Sequence, residues 1–230
     1  MAGKLYGIGV GPGDPELMTI KAVKILKECD VIAVPGKVPE ETVAYRIAVQ
    51  VCPEIEKKRL IGIYMPMTKD KTMLEESHEA GVRMLREQLD AGKKTAFMTL
   101  GDPTVYSTYL YLHNQIRSAG YEAEIISGVP SFCAAAAKLH MSIGEKDEQI
   151  HVIPASYQME EALDLPGTKI LMKAGKKLPA VKKLLQDRNA EAVMVENCGM
   201  ENERIYYETN QIPEDAGYYT LLFVKEGGEA

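Results

Sequence analysis

Three turns rich in glycine and proline contain the residue types and spacings of this chain that could do chemistry. The first lies within residues 7–15, and the others are Gly101-Asp102-Pro103 and residues 127–131. Each follows a strand-like run and precedes a helix-like one. Glycine allows close approach to the backbone, and strand-to-helix turns are where open α/β folds bind ligands. The three turns therefore predict a ligand site formed largely by backbone.

Two common nucleotide-binding motifs do not fit the first turn. Reading G-x-G-x-x-G from Gly7 places Pro12 at the third glycine, and the next strand-like run ends in Pro35 and Gly36 without an acidic residue. No Gly-Lys-Ser/Thr follows at the spacing of a Walker A loop. A nicotinamide oxidoreductase and a P-loop nucleotidase are therefore not predicted.

In their order and spacing, the three turns resemble the motifs of the tetrapyrrole (corrin/porphyrin) methylase family. The segments are GxGPGDPxLxTxKA at residues 9–22, LGDPxxYS at 100–107 and SGVPS at 127–131. The forms TLGDPTVYST and SGVPSFCAAAA are most like those of members that methylate the C20 meso carbon of precorrin-2 or cobalt-factor II in cobalamin biosynthesis. The resemblance covers essentially the whole chain and implies a methyltransferase that uses S-adenosylmethionine.

The pattern of runs predicts two α/β domains. Strand-like runs at residues 5–10, 31–34, 60–64, 95–100 and 122–126 alternate with helical patterns, as in a doubly wound, mostly parallel sheet. A polar segment after residue 141 leads to further runs at 150–154, 169–172, 192–196, 205–208 and 218–225. We predict an N-terminal α/β domain over 1–141, holding a tetrapyrrole trough and part of the cofactor site, and a C-terminal mixed α/β domain over 149–230. The resemblance implies the same build, with the cofactor in the cleft between the domains, usually in a homodimer.

Helical patterns are read at residues 17–28, 74–89, 134–137, 159–163 and 178–188, and a further helix is predicted to begin near Thr104.

The resemblance implies which residues contact S-adenosylmethionine. It implies that the backbone of the second turn and the side chain of Asp102 lie along the cofactor, and that the third turn contacts its adenosine side. In the second half of the chain, the match to the family's motifs is looser. The predicted cofactor-binding residues are Pro12, Leu100, Gly101, Asp102, Pro103, Val105, Pro130, Ser131, Met172, Lys173, Cys198 and Thr220. These residues could instead have purely structural roles. An aspartate before a proline is also common as a helix cap, and residues at strand ends also pack against their neighbours.

The resemblance also places the first turn at the mouth of the tetrapyrrole trough. The predicted substrate-binding residues are Gly11, Gly13, Asp14, Pro35, Tyr64 and Tyr106. The tyrosines could give flat walls to a macrocycle, although aromatic residues at helical spacing also fill cores. Because the substrate carries several carboxylates and the chain has a net charge of −6, the trough needs local cations. The candidates are Lys4, Lys21, Lys37 and Arg46. The alternative is that these side chains lie on solvent-exposed surfaces and bind no substrate.

No catalytic residue and no metal site is predicted. Methyl transfer is an in-line displacement that depends mainly on near-attack geometry, so it leaves few side-chain motifs. Loss of a proton from the meso carbon would make a general base useful. Asp14 and Glu196 are possible bases, and the isolated histidines are His78, His113, His140 and His151.

Composition excludes several classes of protein. The acidic net charge argues against a nucleic-acid partner. No apolar stretch has membrane-spanning length, and the chain opens directly into a strand, so we expect a cytoplasmic protein without a signal peptide. The four cysteines are not paired as C-x-x-C and are expected to be buried thiols.

Two other functions fit part of the pattern. One is another methylase of the same build, acting elsewhere on the macrocycle or of the diphthine type. The other is a regulatory module that binds a nucleotide without catalysis; the residues read as substrate walls favour the enzyme.

Overall fold

The computed structural model describes residues 2–155 and 159–225. The chain divides into two compact units, Met1–Pro130 and Ser131–Ala230. The predicted N-terminal domain extended to residue 141. The helix Ser131–Lys138 (α5) instead belongs to the second unit.

Unit 1 contains a five-stranded parallel sheet in the order β3-β2-β4-β1-β5. The strands are β1 Lys4–Gly9, β2 Val31–Pro35, β3 Arg59–Ile63, β4 Thr95–Thr99 and β5 Glu122–Ile126, and the helices are α1 Ile20–Glu28, α2 Val43–Val51, α3 Lys71–Asp90 and α4 Tyr109–Ser118. All five strand-like runs form strands, so the predicted parallel sheet is confirmed. The sequence did not predict α2, because its β-branched residues favour strands as much as helices.

The helices of unit 1 pack on both faces of the sheet. Ala22 of α1 and Ile47 of α2 share one apolar core with Ile8, and Leu85 of α3 and Leu112 of α4 belong to the other. The neighbouring strands β1 and β4 are therefore followed by helices on opposite faces. Such a divergence leaves a crevice at the carboxyl edge of the sheet.

Unit 2 contains a mixed five-stranded sheet in the order β6-β7-β10-β8-β9. The strands are β6 Ile150–Pro154, β7 Thr168–Met172, β8 Ala192–Glu196, β9 Arg204–Tyr206 and β10 Thr220–Val224, with α5, α6 Met159–Leu163 and α7 Leu178–Asp187 as helices. Since β10 is antiparallel to β7 and β8, its first residue lies at the edge where those two strands end.

Three local expectations are wrong. Residues 102–105 form a turn in which the Val105 amide donates to the Asp102 carbonyl (3.2 Å), so the next helix begins at Tyr109 rather than near Thr104. Tyr106, with φ of 46°, interrupts any helical continuation. Helix α1 begins at Ile20 after a short 3-10 turn rather than at residue 17, and Cys133 is exposed, unlike the other three cysteines.

None of the helices within residues 2–155 and 159–225 has the length and apolar character needed to cross a membrane.

Candidate functional site

Backbone hydrogen bonds join the turns after β1 and β4. The Gly101 amide donates to the Gly11 carbonyl (2.7 Å), and the Gly11 amide donates to the Gly101 carbonyl (3.3 Å). Just before them, the Val10 amide donates to the Thr99 carbonyl (3.0 Å). The first and second glycine turns therefore form one continuous surface at the carboxyl edge of the sheet, a contact that no sequence motif had indicated.

The Asp102 side chain fastens the second turn to the third. Its Oδ1 accepts hydrogen bonds from the Thr104 amide (2.7 Å) and the Thr104 hydroxyl (2.5 Å), and its Oδ2 accepts one from the Gly128 amide (3.0 Å). The carboxylate is buried. Because α4 begins seven positions later, Asp102 does not cap that helix. Its carboxylate instead joins the turn after β4 to the turn after β5.

Three glycines meet at the centre of this surface. A Cβ on Gly9 would lie 2.5 Å from the Gly101 oxygen and 2.6 Å from the Gly128 nitrogen, and a Cβ on Gly128 would lie 2.2 Å from the Gly101 oxygen. Atoms at these distances would overlap, so the contact requires glycine at both positions. Gly9 and Gly128 were not among the predicted site residues, although Gly128 stands in the SGVPS segment.

Gly101 differs from these two glycines. It has φ of +68°, and no atom of the described residues lies within 4 Å of a Cβ built on it. A Cβ here would therefore point into open space, although Gly101 itself has little surface exposed to solvent. Among its neighbours, Leu100 and Val105 are half-buried and Pro103 is buried. A ligand could lie directly against the backbone here.

The start of α4 contacts both β4 and β1. The Ser107 and Thr99 hydroxyls are 3.2 Å apart, and a Cβ on Gly7 would lie 1.9 Å from the Tyr109 ring. The Tyr109 hydroxyl is 2.9 Å from Nδ1 of His113. Burial raises the pKa of Tyr109 and, more than the nearby Arg117 charge, lowers the pKa of His113. His113 is thus an interior partner of Tyr109.

The predicted substrate residues follow strands β1 to β4 at the same carboxyl edge. The first turn buries Gly11 and Gly13 together with the predicted cofactor residue Pro12, and Asp14 Oδ1 accepts a hydrogen bond from the Glu16 amide (2.9 Å). Pro35 ends β2 and is half-buried, whereas Tyr64 and Tyr106 are about half exposed. The two tyrosines are therefore not core residues.

Two of the four candidate cations are already paired. Lys4 and Lys21 both bind the carboxylate of Glu124, at 2.9 Å and 2.8 Å. Hydrogen bonds from Lys21 and Lys4 lower the pKa of Glu124. Arg46 is exposed on α2, and the ammonium of Lys37 lies 4.6 Å from the centre of the Tyr64 ring.

In unit 2, most predicted cofactor residues lie at one edge of the mixed sheet. Met172 ends β7, Thr220 begins β10, and Cys198 comes two residues after β8. Met172, Cys198 and Thr220 are buried, whereas Lys173 is partly exposed with its ammonium 5.5 Å from the Tyr218 ring. Ser131 opens α5 and is partly exposed.

This edge contains two residues in an unusual conformation. Lys173 and Asn197, which follow β7 and β8, have φ of 60° and 53°. Their amides donate to the Thr220 carbonyl (3.1 Å) and the Tyr219 carbonyl (2.9 Å). Positive φ outside glycine is concentrated at functional sites, so Asn197 joins the candidate residues. No sequence pattern marked it, because its neighbours at residues 219 and 220 are far away in the chain.

The remaining candidate bases have structural partners or lie away from the turns. Glu196 is buried and accepts a hydrogen bond from the Gly217 amide (2.7 Å). His78 stacks on Tyr111 at 4.9 Å, Nε2 of His151 is 3.0 Å from the Pro166 oxygen, and His140 is exposed beyond α5.

Comparison with known proteins gives consistent results. Residues 4–211 match the family model described as tetrapyrrole (corrin/porphyrin) methylases. The chain is 33% identical over 204 residues to the probable cobalt-precorrin-2 C(20)-methyltransferase of Methanocaldococcus jannaschii, covering 88% of this chain and 86% of the relative. It is 28% identical over 241 residues to the precorrin-2 C(20)-methyltransferase of a Sinorhizobium species, covering 96% and 95%.

Among solved structures, the uroporphyrin-III C-methyltransferase from Thermus thermophilus complexed with S-adenosylhomocysteine has a TM-score of 0.73. The match is 20% identical and covers 97% of this chain and 98% of that one. This likeness confirms the predicted fold class.

Proposed function

This chain belongs to the tetrapyrrole (corrin/porphyrin) methylase family, and on that premise we propose that it methylates the C20 meso carbon of precorrin-2 or cobalt-factor II in cobalamin biosynthesis, with S-adenosylmethionine as donor. The two relatives named above support position C20, one with and one without cobalt in its substrate name. The observation in the structure that carries the proposal is the joined surface of the Gly11 and Gly101 turns.

The residues of this surface fit a methyl donor. S-adenosylmethionine supplies an electrophilic methyl group on a sulfonium sulfur when it is bound. The space beside the Gly101 Cα is open, and Asp102 holds the neighbouring turn rigid through the Gly128 amide. Near-attack geometry requires such rigidity, because misplacement by about 1 Å can lower a rate roughly 100-fold. Asp102 is thus a positioning residue in this proposal.

The side chains of the turns support catalysis by placement. Asp14 caps the short 3-10 turn after it, and the carboxylate of Asp102 accepts three hydrogen bonds from the protein. Neither side chain needs to exchange a proton to do this. The chain therefore binds and orients the two reactants, and the electron-rich macrocycle supplies the nucleophilic carbon.

The proposal includes the predicted contacts of unit 2. One edge of the mixed sheet contains Met172, Lys173, Thr220 and Cys198. Lys173 and the neighbouring Asn197 have positive φ, which supports a binding role for that edge. Ser131, at the first position of α5, is proposed as the adenosine-side contact that follows Pro130. The resemblance also supports a cytoplasmic homodimer, and light scattering of the purified chain would measure the oligomeric state.

A matched pair of glycine variants tests the cofactor surface. Gly101 and Gly120 have φ of +68° and +88°, and a Cβ on either would meet no atom of the described residues within 4 Å. Gly120 lies between α4 and β5, at the opposite edge of the sheet. Alanine at either position should cost about 1–2 kcal/mol of stability through its left-handed backbone. Only Gly101→Ala adds a methyl group to the candidate surface.

We expect isothermal titration to show at least about tenfold weaker S-adenosylhomocysteine binding for Gly101→Ala, about 1.4 kcal/mol, and unchanged binding for Gly120→Ala. Mass spectrometry of products from precorrin-2 and cobalt-factor II then identifies the substrate. Equal affinities in the two variants would contradict the cofactor surface. Cofactor binding without methylation of either tetrapyrrole would favour the regulatory module.

A further inference from the structure

A lysine and a tyrosine stand together where β2 and β3 end. The ammonium of Lys37 lies 4.6 Å from the centre of the Tyr64 ring, within the range of a cation–π contact. Tyr64 is 50% exposed, so one part of the pair faces solvent at the carboxyl edge of unit 1.

The backbone holds this pair in place. The Gly36 amide donates to the Ile63 carbonyl (2.9 Å), and a Cβ on Gly62 would lie 2.4 Å and 2.5 Å from the Gly36 and Lys37 oxygens. The Ser77 hydroxyl donates to the Tyr64 carbonyl (2.5 Å). Both residues therefore leave the sheet from fixed backbone positions, although their side chains are exposed.

The ammonium of Lys37 is available to an anion. Lys4 and Lys21 share the carboxylate of Glu124, whereas no carboxylate within residues 2–155 and 159–225 forms an ion pair with Lys37. Glu40 and Glu41 follow closely in sequence, yet the ammonium lies over the ring. In a chain with a net charge of −6, such a cation provides a local positive site.

We propose that Lys37, held by Tyr64, binds a peripheral carboxylate of the tetrapyrrole substrate. The inference rests on the proposed function and names a specificity-determining residue for it. The ring limits the positions of a flexible lysine side chain, so less conformational freedom is lost when the carboxylate binds. The exposed part of the same ring offers a flat apolar surface beside the charge, which suits a macrocycle edged with acid groups.

Kinetics with a matched lysine control test this inference. Lys37→Met should raise the KM for the tetrapyrrole about 3- to 10-fold, as expected for a partly exposed ion pair, with the KM for S-adenosylmethionine unchanged. Lys37→Arg should restore the KM to within about twofold, since it keeps the charge and the aromatic contact. Lys93→Met, an exposed change of equal charge in the turn before β4, should leave both constants unchanged.

The double variant isolates the contribution of the ring. On a Tyr64→Leu background, Lys37→Met should raise the tetrapyrrole KM less than it does in the wild type, because contacting residues couple. The difference between wild type and Lys37→Met should also shrink as salt is raised, since ions screen an exposed pair. Equal effects of Lys37→Met and Lys93→Met, or none for either, would overturn the inference.

The two proposals fail in different ways. If the wild type methylates neither tetrapyrrole, the proposed function fails. Absorbance titration of precorrin-2 and cobalt-factor II into wild type and Lys37→Met still measures binding in that case. Equal dissociation constants would then reject the role of Lys37, and weaker binding by Lys37→Met would support it.

Discussion

Replacing Asp102 with alanine should destabilise unit 1 more than removal of an ordinary cap. Three hydrogen bonds to the carboxylate disappear, from the Thr104 amide, the Thr104 hydroxyl and the Gly128 amide. Thr104 is exposed, so its amide and hydroxyl can bond to water when the carboxylate is removed. Losing these two hydrogen bonds should cost about as much as losing a helix cap, about 0.5–2 kcal/mol. The Gly128 bond is buried, and an unpaired buried donor costs about 1–3 kcal/mol. Together these losses should lower the free energy of unfolding by about 1.5–5 kcal/mol.

Asp70→Ala is the matched control, because Asp70 caps α3 through the Met73 amide (3.2 Å) at an exposed position. It should lower the free energy of unfolding by about 1 kcal/mol and leave cofactor affinity unchanged. The chain lacks tryptophan, so urea unfolding is best followed by circular dichroism. Hydrogen exchange at the Gly128 amide measures the loss of its hydrogen bond directly. Titration with S-adenosylhomocysteine measures the cofactor affinity. Equal stabilities of the two variants, with unchanged Gly128 exchange and cofactor affinity, would refute the reasoning.

Two further predictions concern titratable groups. Burial lowers the pKa of His113 below its usual 6.5, so the unfolded chain binds more protons, and stability should be lost as pH falls below about 6.5 through the folded pKa. His113→Gln should flatten that part of a stability profile measured by urea unfolding, and an unchanged slope would contradict the assignment. Asp14→Asn and Glu196→Gln should each lower the single-turnover methylation rate by less than the roughly 100-fold expected for loss of a general base. Abolished methylation with both ligands still bound would reject catalysis by placement.

The sequence predicted the strands of both units because apolar runs bounded by turn residues are local signals. The runs at 122–126, 150–154 and 192–196 coincide with β5, β6 and β8. Local signals also misled where a distant group completed the contact. The Asp102-Pro103 pair was read as the start of a helix, but the carboxylate bonds instead to the Gly128 amide, and α4 begins at Tyr109.

The chain's own residues thus determined its alternating elements, its three glycine turns and the family to which it belongs. Tertiary structure decided which of those turns touch. The order β3-β2-β4-β1-β5 places β1 between β4 and β5, so Gly9 meets both Gly101 and Gly128. The same order brings Glu124 of β5 beside Lys4 of β1, and Glu124 also binds Lys21, so two predicted cations share one carboxylate. Strand order arises from packing between segments far apart in the chain, and no local pattern encodes it.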